Sequence, residues 1–424
     1  MSPTKPSFYA FLAFAAIGLI PARAVDVSDI SIHGSVSDTE SYSDTYNFYG
    51  NTSGKFDNNV RELTLNGGYR WASGLRASAQ IYAADVDGYS SIDLDFASLD
   101  YSVQPWFGLR IGRNKSTIGL YGDSQDLDQV RTFANLPLGF YPRTRRTLNY
   151  TDGLNVYGNI STARAGSFDY TVFGGRIENI PSTALIARSS GGLTIADGFT
   201  LPFVIGVEVF WNTPIDGLRL AAGGFDIPHL GDRGHLATRA FATQPGLTTD
   251  YTPLAIDGAY GPGAWDALFA GSPTTSSISL ADASIGAEYS AGKWIIAAEA
   301  KQEPEHLTSN VPARGVKGSY SKSLSQDAYA SVTFQATKQV GVGAYYGYTD
   351  TDANHDGSSP RSLTTQKDLA GVISYAPLPW WLIKVEVHSL DGLALVNQAG
   401  DYNPNAPTAG TKWTYLVFKT SLSF

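Results

Sequence analysis

The sequence contains no cysteine and a single methionine among its 424 residues. The absence of cysteine excludes a disulfide framework, a zinc–thiolate cluster and thiol chemistry. Beyond the N-terminus, no segment approaches the roughly eighteen consecutive apolar residues that a transmembrane helix needs. Charged residues are also few, at 16%, and the net charge is −9. A chain of this sign is poorly suited to binding nucleic acid.

The abundant residue types favour a β-rich protein. The chain has 44 glycines, 24 tyrosines and 8 tryptophans, and its mean hydropathy of −0.12 is slightly polar. That value fits neither a helical membrane protein nor a disordered chain. Helical periodicity is weak, which also argues against a helical fold.

The N-terminus is typical of a secretory signal peptide over residues 1–24. Lys5 precedes the apolar run Phe8–Ile20, and Ala22-Arg23-Ala24 forms a small-x-small cleavage site. The run is too short to span a bilayer. Cleavage leaves residues 25–424 with a net charge of −11, because Lys5 and Arg23 are removed. A buried N-terminal helix is the alternative interpretation.

The C-terminus alternates in a two-residue period: Leu416, Phe418, Thr420, Leu422 and Phe424 share one face. This pattern predicts a final strand with one apolar face. A buried strand of a soluble protein would produce the same pattern.

Sixteen segments of about ten residues read as strands. They begin near Ile30, Val60, Leu75, Asp93, Phe107, Leu154, Phe168, Phe203, Leu218, Ile278, Trp294, Asp327, Val340, Leu369, Trp381 and Trp413. Many have one apolar and one polar face; Val385 and Val387, for example, alternate with Lys384, Glu386 and His388. An even number of strands places both termini on one side of a barrel.

Short and long connections alternate along the chain. The short ones carry turn residues, at Ser73-Gly74, Gln104-Pro105, Ala165-Gly166, Pro214 to Gly217, Gly292, Lys338, and Pro377 to Pro379. The long, polar ones cover roughly 38–58, 86–92, 117–152, 181–202, 231–276, 305–320, 350–362 and 396–410. Transmembrane barrels have short periplasmic turns and longer extracellular loops. Sandwiches and propellers have no reason to follow this rule.

The tryptophans support a membrane boundary at one end of the strands. Six of the eight lie beside predicted short turns: Trp71, Trp106, Trp211, Trp294, Trp380 and Trp381. An indole combines an apolar ring with an N–H donor, so it favours the interface between hydrocarbon and headgroups.

The strand count, the alternating connections and the terminal Phe424 resemble the Gram-negative outer-membrane porin superfamily. The resemblance implies an all-β, 16-stranded antiparallel transmembrane β-barrel for passive diffusion of small hydrophilic solutes and ions. It implies an outer-membrane location, contact with lipid and lipopolysaccharide, assembly through the barrel-assembly machinery, and a homotrimer. No cofactor is expected. In porins the third loop, here about 117–152, folds inward and narrows the channel.

The third loop carries charges of both signs. Its candidate selectivity residues are Asp123, Asp126, Asp128, Arg131, Arg143, Arg145 and Arg146. Opposed charges across a narrow passage orient dipolar solutes and bias ion choice. The Arg143-to-Arg146 cluster favours an anion site, since guanidinium groups pair with carboxylate or phosphate. A solvated outer loop that binds lipopolysaccharide, or nothing, is the alternative.

The strands predict an asymmetric wall. Arg70, Arg76 and Arg110 lie on the polar faces of strands two to five. The acidic residues on later strands are Glu208, Glu288, Glu299 and Glu386. A basic wall opposite the third loop resembles the porin arrangement, although charges are ordinary in any water-filled lumen.

Two further features contain metal-binding or catalytic residue types. Asp352, Asn354 and Asp356 before Gly357 match the first half of a calcium loop, but Leu363 occupies the position of the expected bidentate glutamate. An exposed turn explains this string equally well. The six histidines form no metal motif or catalytic constellation, so no enzyme is predicted. A porin biased toward anions or sugars, and more remotely an enzymatic or adhesive barrel, are the alternatives.

Overall fold

The computed structural model describes residues 29–71, 74–86, 89–115, 118–141, 150–177, 194–200, 203–242, 252–354, 360–398 and 410–424. The predicted signal peptide, 1–24, lies outside these residues. The strands β1 to β17 are Ile30–Ser43, Phe56–Arg70, Leu75–Val86, Tyr89–Gln104, Phe107–Lys115, Tyr150–Thr162, Gly166–Arg176, Thr194–Thr200, Phe203–Asn212, Leu218–Leu236, Pro273–Ala291, Trp294–Val311, Val316–Gln335, Val340–Asp350, Thr365–Leu378, Trp381–Gly392 and Lys412–Ser423.

The strands form one closed, antiparallel barrel. β1 pairs with β2 on one side and with β17 on the other. The backbones of Gly34 and Phe424 complete the seam with two hydrogen bonds of 3.1 and 3.0 Å. β8 and β9 both pair with β10 and together make one barrel strand, so the barrel has sixteen. The predicted fold class is confirmed.

Several strands are longer than the sequence predicts. β12 continues to Val311 and β13 begins at Val316, so most of the predicted loop 305–320 is a paired hairpin. β1 extends to Ser43, β10 extends to Leu236, and β8 falls within the predicted loop 181–202. These extensions are mostly polar and lack clear hydrophobic alternation, so the pattern does not reveal them. Cross-strand pairing holds them.

The barrel wall has its apolar face outside. On β16, Val385 and Val387 are exposed, whereas Lys384, Glu386 and His388 are buried on the inward face. Exposed outward positions on other strands are also apolar, as a lipid-facing surface requires. The six tryptophans predicted to lie near short turns are at strand ends or in the adjoining turns, at a single end of the barrel.

Within the described ranges, the helices are short and lie in the connections. The α-helices span Arg239–Ala242, Thr252–Tyr260, Ala264–Leu268, Arg361–Thr364 and Ala394–Gln398, and the 3-10 turns span Gly122–Ser124, Asp128–Val130 and Pro312–Arg314. Among the described residues, no helix has both the length and the hydrophobicity needed to span a bilayer.

Candidate functional site

The third loop, which joins β5 to β6, lies against the inner face of the wall. Its described part is residues 118–141. Hydrogen bonds connect it to side chains of six strands: β3, β5, β9, β12, β16 and β17. Because these strands are spread around the barrel, the described part of the loop contacts several sides of the wall.

Two glutamates on the wall bind the start of the loop. Glu208 accepts the backbone N–H of Gly119 at 2.7 Å, and Glu299 accepts that of Leu120 at 2.7 Å. The hydroxyls of Tyr141 and Tyr329 donate to the other oxygen of Glu299. Both glutamates are almost fully buried. Backbone N–H groups of an irregular segment need acceptors, and these carboxylates supply them.

A third glutamate binds the middle of the loop. Glu386 accepts the backbone N–H of Ala134 at 2.8 Å and that of Asn135 at 3.1 Å. Two positions earlier on β16, the Lys384 ammonium donates to the carbonyls of Asp128 and Phe133, both at 2.8 Å. One strand therefore satisfies both donors and acceptors of the loop backbone.

Asp128 is the most enclosed charge of the loop. Its carboxylate lies 2.7 Å from Arg131 and 2.9 Å from Lys419, and it accepts the Ser421 hydroxyl at 2.7 Å. Burial alone would raise the pKa of Asp128. The attraction of Lys419, Arg131 and Lys384 outweighs that effect and holds the pKa well below its ordinary value.

The two remaining loop aspartates differ in environment. Asp126 accepts hydrogen bonds from Gln80 at 2.6 Å and Lys115 at 2.7 Å, so it is bound to the wall. Asp123 is exposed to the lumen. The surrounding protein still displaces enough water that burial raises the pKa of Asp123, although Arg110 and Lys115 attract its charge.

Two of the three predicted basic residues of the wall lie beside one aspartate. Arg110 donates to Asp100 at 2.8 Å, and Arg76 lies 4.0 Å from the same carboxylate. The Arg110 guanidinium is also 5.2 Å from the ring centroid of Tyr157. Arg70 is exposed at the end of β2. Asp100 partly neutralises the charges of Arg110 and Arg76, while the Arg76 side chain stays 42% exposed.

Apolar packing reinforces the polar contacts. Ala134 and Leu138 belong to a buried cluster with side chains of the first and last connections and of β17. The ring of Phe133 packs edge-on against Tyr345, with centroids 5.2 Å apart. Gly139 approaches the wall so closely that a Cβ there would lie 1.9 Å from the Thr349 hydroxyl oxygen.

Some predicted site residues lie outside the described part of the chain. Arg143, Arg145 and Arg146 are among them, and so is Asp356 of the calcium-like string. In the described part of that string, Arg361 donates to the carbonyl of Asp352 and forms a 2.6 Å ion pair with Asp350. Glu288 faces Arg219 at 3.7 Å. No group of metal-binding side chains occurs among the described residues.

Sequence reasoning missed most of the wall residues that hold the loop. These are Gln80, Lys115, Tyr329, Lys384, Lys419 and Ser421. The alternation on β16 already placed Lys384 on the same face as Glu386. The hydrogen bonds of Lys384 to loop atoms more than 250 residues away in the chain leave no local signal in the sequence.

No protein-family model and no curated protein matches the sequence. Solved structures do match. An anion-selective porin from Comamonas acidovorans aligns over 93% of this chain and 99% of its own, with a TM-score of 0.53 and 12% identity. The chain has the fold of the bacterial outer-membrane porins.

Two other porin-fold structures match equally well. Salmonella typhi OmpF, in complex with daunomycin, and OmpT expressed in the outer membrane of Vibrio cholerae both give a TM-score of 0.52. Each shares 12% identity and aligns over 93% of this chain and 97% of its own. At such identity the likeness concerns the fold, and the porin resemblance expected from the sequence is confirmed at that level.

Proposed function

We propose that this chain forms a water-filled channel in the outer membrane for passive diffusion of small hydrophilic solutes and ions. A sixteen-stranded barrel is wide enough to enclose an aqueous lumen. The observation that supports the proposal is that the third loop hydrogen-bonds to six strands of the wall. In this proposal the loop narrows the lumen. Within the described part of the loop, Asp123 is an exposed charge that a solute would meet in this proposal.

In this proposal the three wall glutamates hold the loop and do not contact the permeating ion. Glu208, Glu299 and Glu386 are each less than about 5% exposed, and each accepts backbone N–H groups of the loop. Selectivity then depends on the charges still open to water. On the wall these include Arg70 and the half-exposed Arg76, and on the loop Asp123.

An anion-biased porin is the second candidate. It is favoured by one observation: three of the four predicted acidic wall residues, Glu208, Glu299 and Glu386, are buried against the loop, whereas Arg70 and Arg76 stay accessible. Guanidinium groups in a confined aqueous passage attract phosphate and carboxylate solutes.

Planar-bilayer recording of the purified full chain tests both candidates. We expect stepwise insertion of open, ohmic pores, with a reversal potential in a salt gradient that gives the ion preference. Phosphate, dicarboxylates and maltose serve as competing solutes, and block by the anions alone supports the second candidate. A folded barrel that conducts no ions at any voltage contradicts the channel proposal.

The signal peptide, the periplasmic side of both termini, the homotrimer and recognition by the barrel-assembly machinery are part of the same proposal. They rest on the resemblance to porins. Migration of the unheated protein in SDS gels, compared with the boiled chain, tests the trimer. A monomer-sized band in mild detergent and after chemical cross-linking contradicts it.

A further inference from the structure

His388 is buried between two carboxylates on the inward face of the wall. Its Nδ1 lies 3.0 and 3.1 Å from the two oxygens of Asp368, and its Nε2 lies 3.0 Å from Oε1 of Glu386. The imidazole is 0% exposed, as is Glu386. The same Glu386 carboxylate accepts the backbone N–H groups of Ala134 and Asn135.

The positions of the two carboxylates determine which protonation state of the His388 ring fits this site. A neutral imidazole carries one N–H and can donate to only one carboxylate. The other ring nitrogen would then present a lone pair to a carboxylate 3 Å away, which is repulsive. The imidazolium donates from both nitrogens and satisfies both carboxylates.

We propose that His388, held as the imidazolium, is a positioning residue for the third loop. It fixes the orientation of Glu386, and Glu386 holds the loop backbone at Ala134 and Asn135. The channel cross-section therefore depends on the charge of a residue that no solute contacts. This inference rests on the proposed channel function, in which the loop narrows the lumen.

Among the described residues, His388 is the cation that contacts both carboxylates. On β14, Tyr345 donates to Asp368 at 2.6 Å. On β17 the ring of Tyr415 lies 5.5 Å from the imidazole. From β16, Lys384 is attracted to Glu386, but its ammonium is hydrogen-bonded to loop carbonyls. From the loop, apolar Phe133 packs against Tyr345.

Loop docking can be measured without relying on conduction. The chain has no cysteine, so Val130→Cys at an exposed loop position accepts one spin label. In the labelled full chain, we expect an immobile label at neutral pH. His388→Gln removes the charge and should raise the ratio of mobile to immobile label about tenfold or more, the effect of losing a charge-assisted hydrogen bond. His33→Gln, at an exposed histidine of β1, is the control and should change nothing.

Two measurements distinguish a positioning role of His388 from a general role in packing. At alkaline pH the wild-type label should become mobile as His388 loses its proton, and this transition should be absent in His388→Gln. In a Glu386→Gln background, His388→Gln should add less than about twofold, because its effect passes through Glu386. Asp368→Asn should mobilise the label in the same direction, and it replaces His388→Gln if that variant does not fold.

Any of three results overturns the inference. The first is an immobile label in folded His388→Gln, and the second is an unchanged alkaline transition in that variant. The third is an equal effect of His388→Gln on label mobility in the wild-type and Glu386→Gln backgrounds. A protein that shows the expected label behaviour but forms no pore contradicts the channel proposal and leaves the positioning role standing.

Discussion

The Asp128 carboxylate in the third loop lies 2.9 Å from the Lys419 ammonium in the last strand. Arg131 and the Ser421 hydroxyl bind the same carboxylate, so Asp128 is enclosed by partners and only 6% exposed. The strand that closes the barrel is therefore also an attachment point for the loop inside it. Loop position and barrel closure are coupled by this cluster.

Neutralising Asp128 should release this part of the loop. Asp128→Asn leaves Lys419 and Arg131 without their carboxylate, and removing one member of a buried ion pair costs about 3–5 kcal/mol. We expect increased mobility of a spin label at Val130→Cys and noisier open-channel current. Asp216→Asn, at an exposed turn residue, is the matched control. Unchanged mobility in Asp128→Asn would show that the loop does not depend on this cluster.

The pH dependence of the same contact follows from the depressed pKa of Asp128. Its folded-state pKa lies below the unfolded value, so the stabilisation is present above the unfolded pKa and is lost as pH falls through the folded one. Docking at Asp128 should persist through the ordinary carboxylate range, near pH 4. A label that becomes mobile between about pH 5 and 4, in wild type but not in Asp128→Asn, would contradict this.

Asp123 should control ion selectivity, and its pH dependence should be opposite to that of Asp128. Burial raises its pKa, so it takes up a proton at a higher pH than a free aspartate. As pH falls, the lumen loses a negative charge, and the reversal potential should move toward anion preference. Asp123→Asn should show that preference already at neutral pH and lack the transition. The same acid transition in wild type and variant would assign it to another group.

Arg110 should contribute to anion preference. It lies beside Asp100 and attracts the charge of Asp123. Arg110→Gln removes a positive charge, and one unit charge at several ångströms in a wet lumen changes ion energies by about 0.5–1 kcal/mol. We expect a shift of about two- to sixfold in permeability ratio toward cations. Arg164→Gln, in an exposed turn, should leave the reversal potential unchanged; an equal shift in both would indicate a general effect of net charge.

Gly139 should be intolerant of a side chain. A Cβ would lie 1.9 Å from Thr349 and 2.5 Å from Asp327, so Gly139→Ala must move the loop away from β13 and β14. Overpacking of this kind costs about 1–3 kcal/mol. Gly258→Ala is the control, since nothing lies within 4 Å of its Cβ position in the helix Thr252–Tyr260. Loop-label mobility that is identical in the two variants would contradict the close approach.

The sequence predicted the barrel because a wall between lipid and water imposes a local rule. Successive side chains of a strand face opposite media, so Val385 and Lys384 already reveal which face is which. The rule weakens where strands extend beyond the bilayer. Residues of β12 and β13 near 305–320 lack clear hydrophobic alternation in the sequence although pairing continues.

The candidate site was predicted as a set of residue types rather than as contacts. Asp123, Asp126 and Asp128 are neighbours in sequence, yet one is exposed, one binds Gln80 and Lys115, and one is enclosed by Lys419 and Arg131. Those differences depend on where the loop runs inside the barrel. No periodicity constrains such a path.

The sequence by itself determined a closed sixteen-stranded barrel with an apolar exterior. The reason is that neighbouring residues of each strand face lipid and water in turn, so their side chains alternate between apolar and polar. Only the tertiary structure decided that Glu208, Glu299 and Glu386 bind the third loop, and that His388 lies between Asp368 and Glu386. These contacts join residues far apart in the chain, and their energy exists only once the closed wall brings the partners within hydrogen-bonding distance.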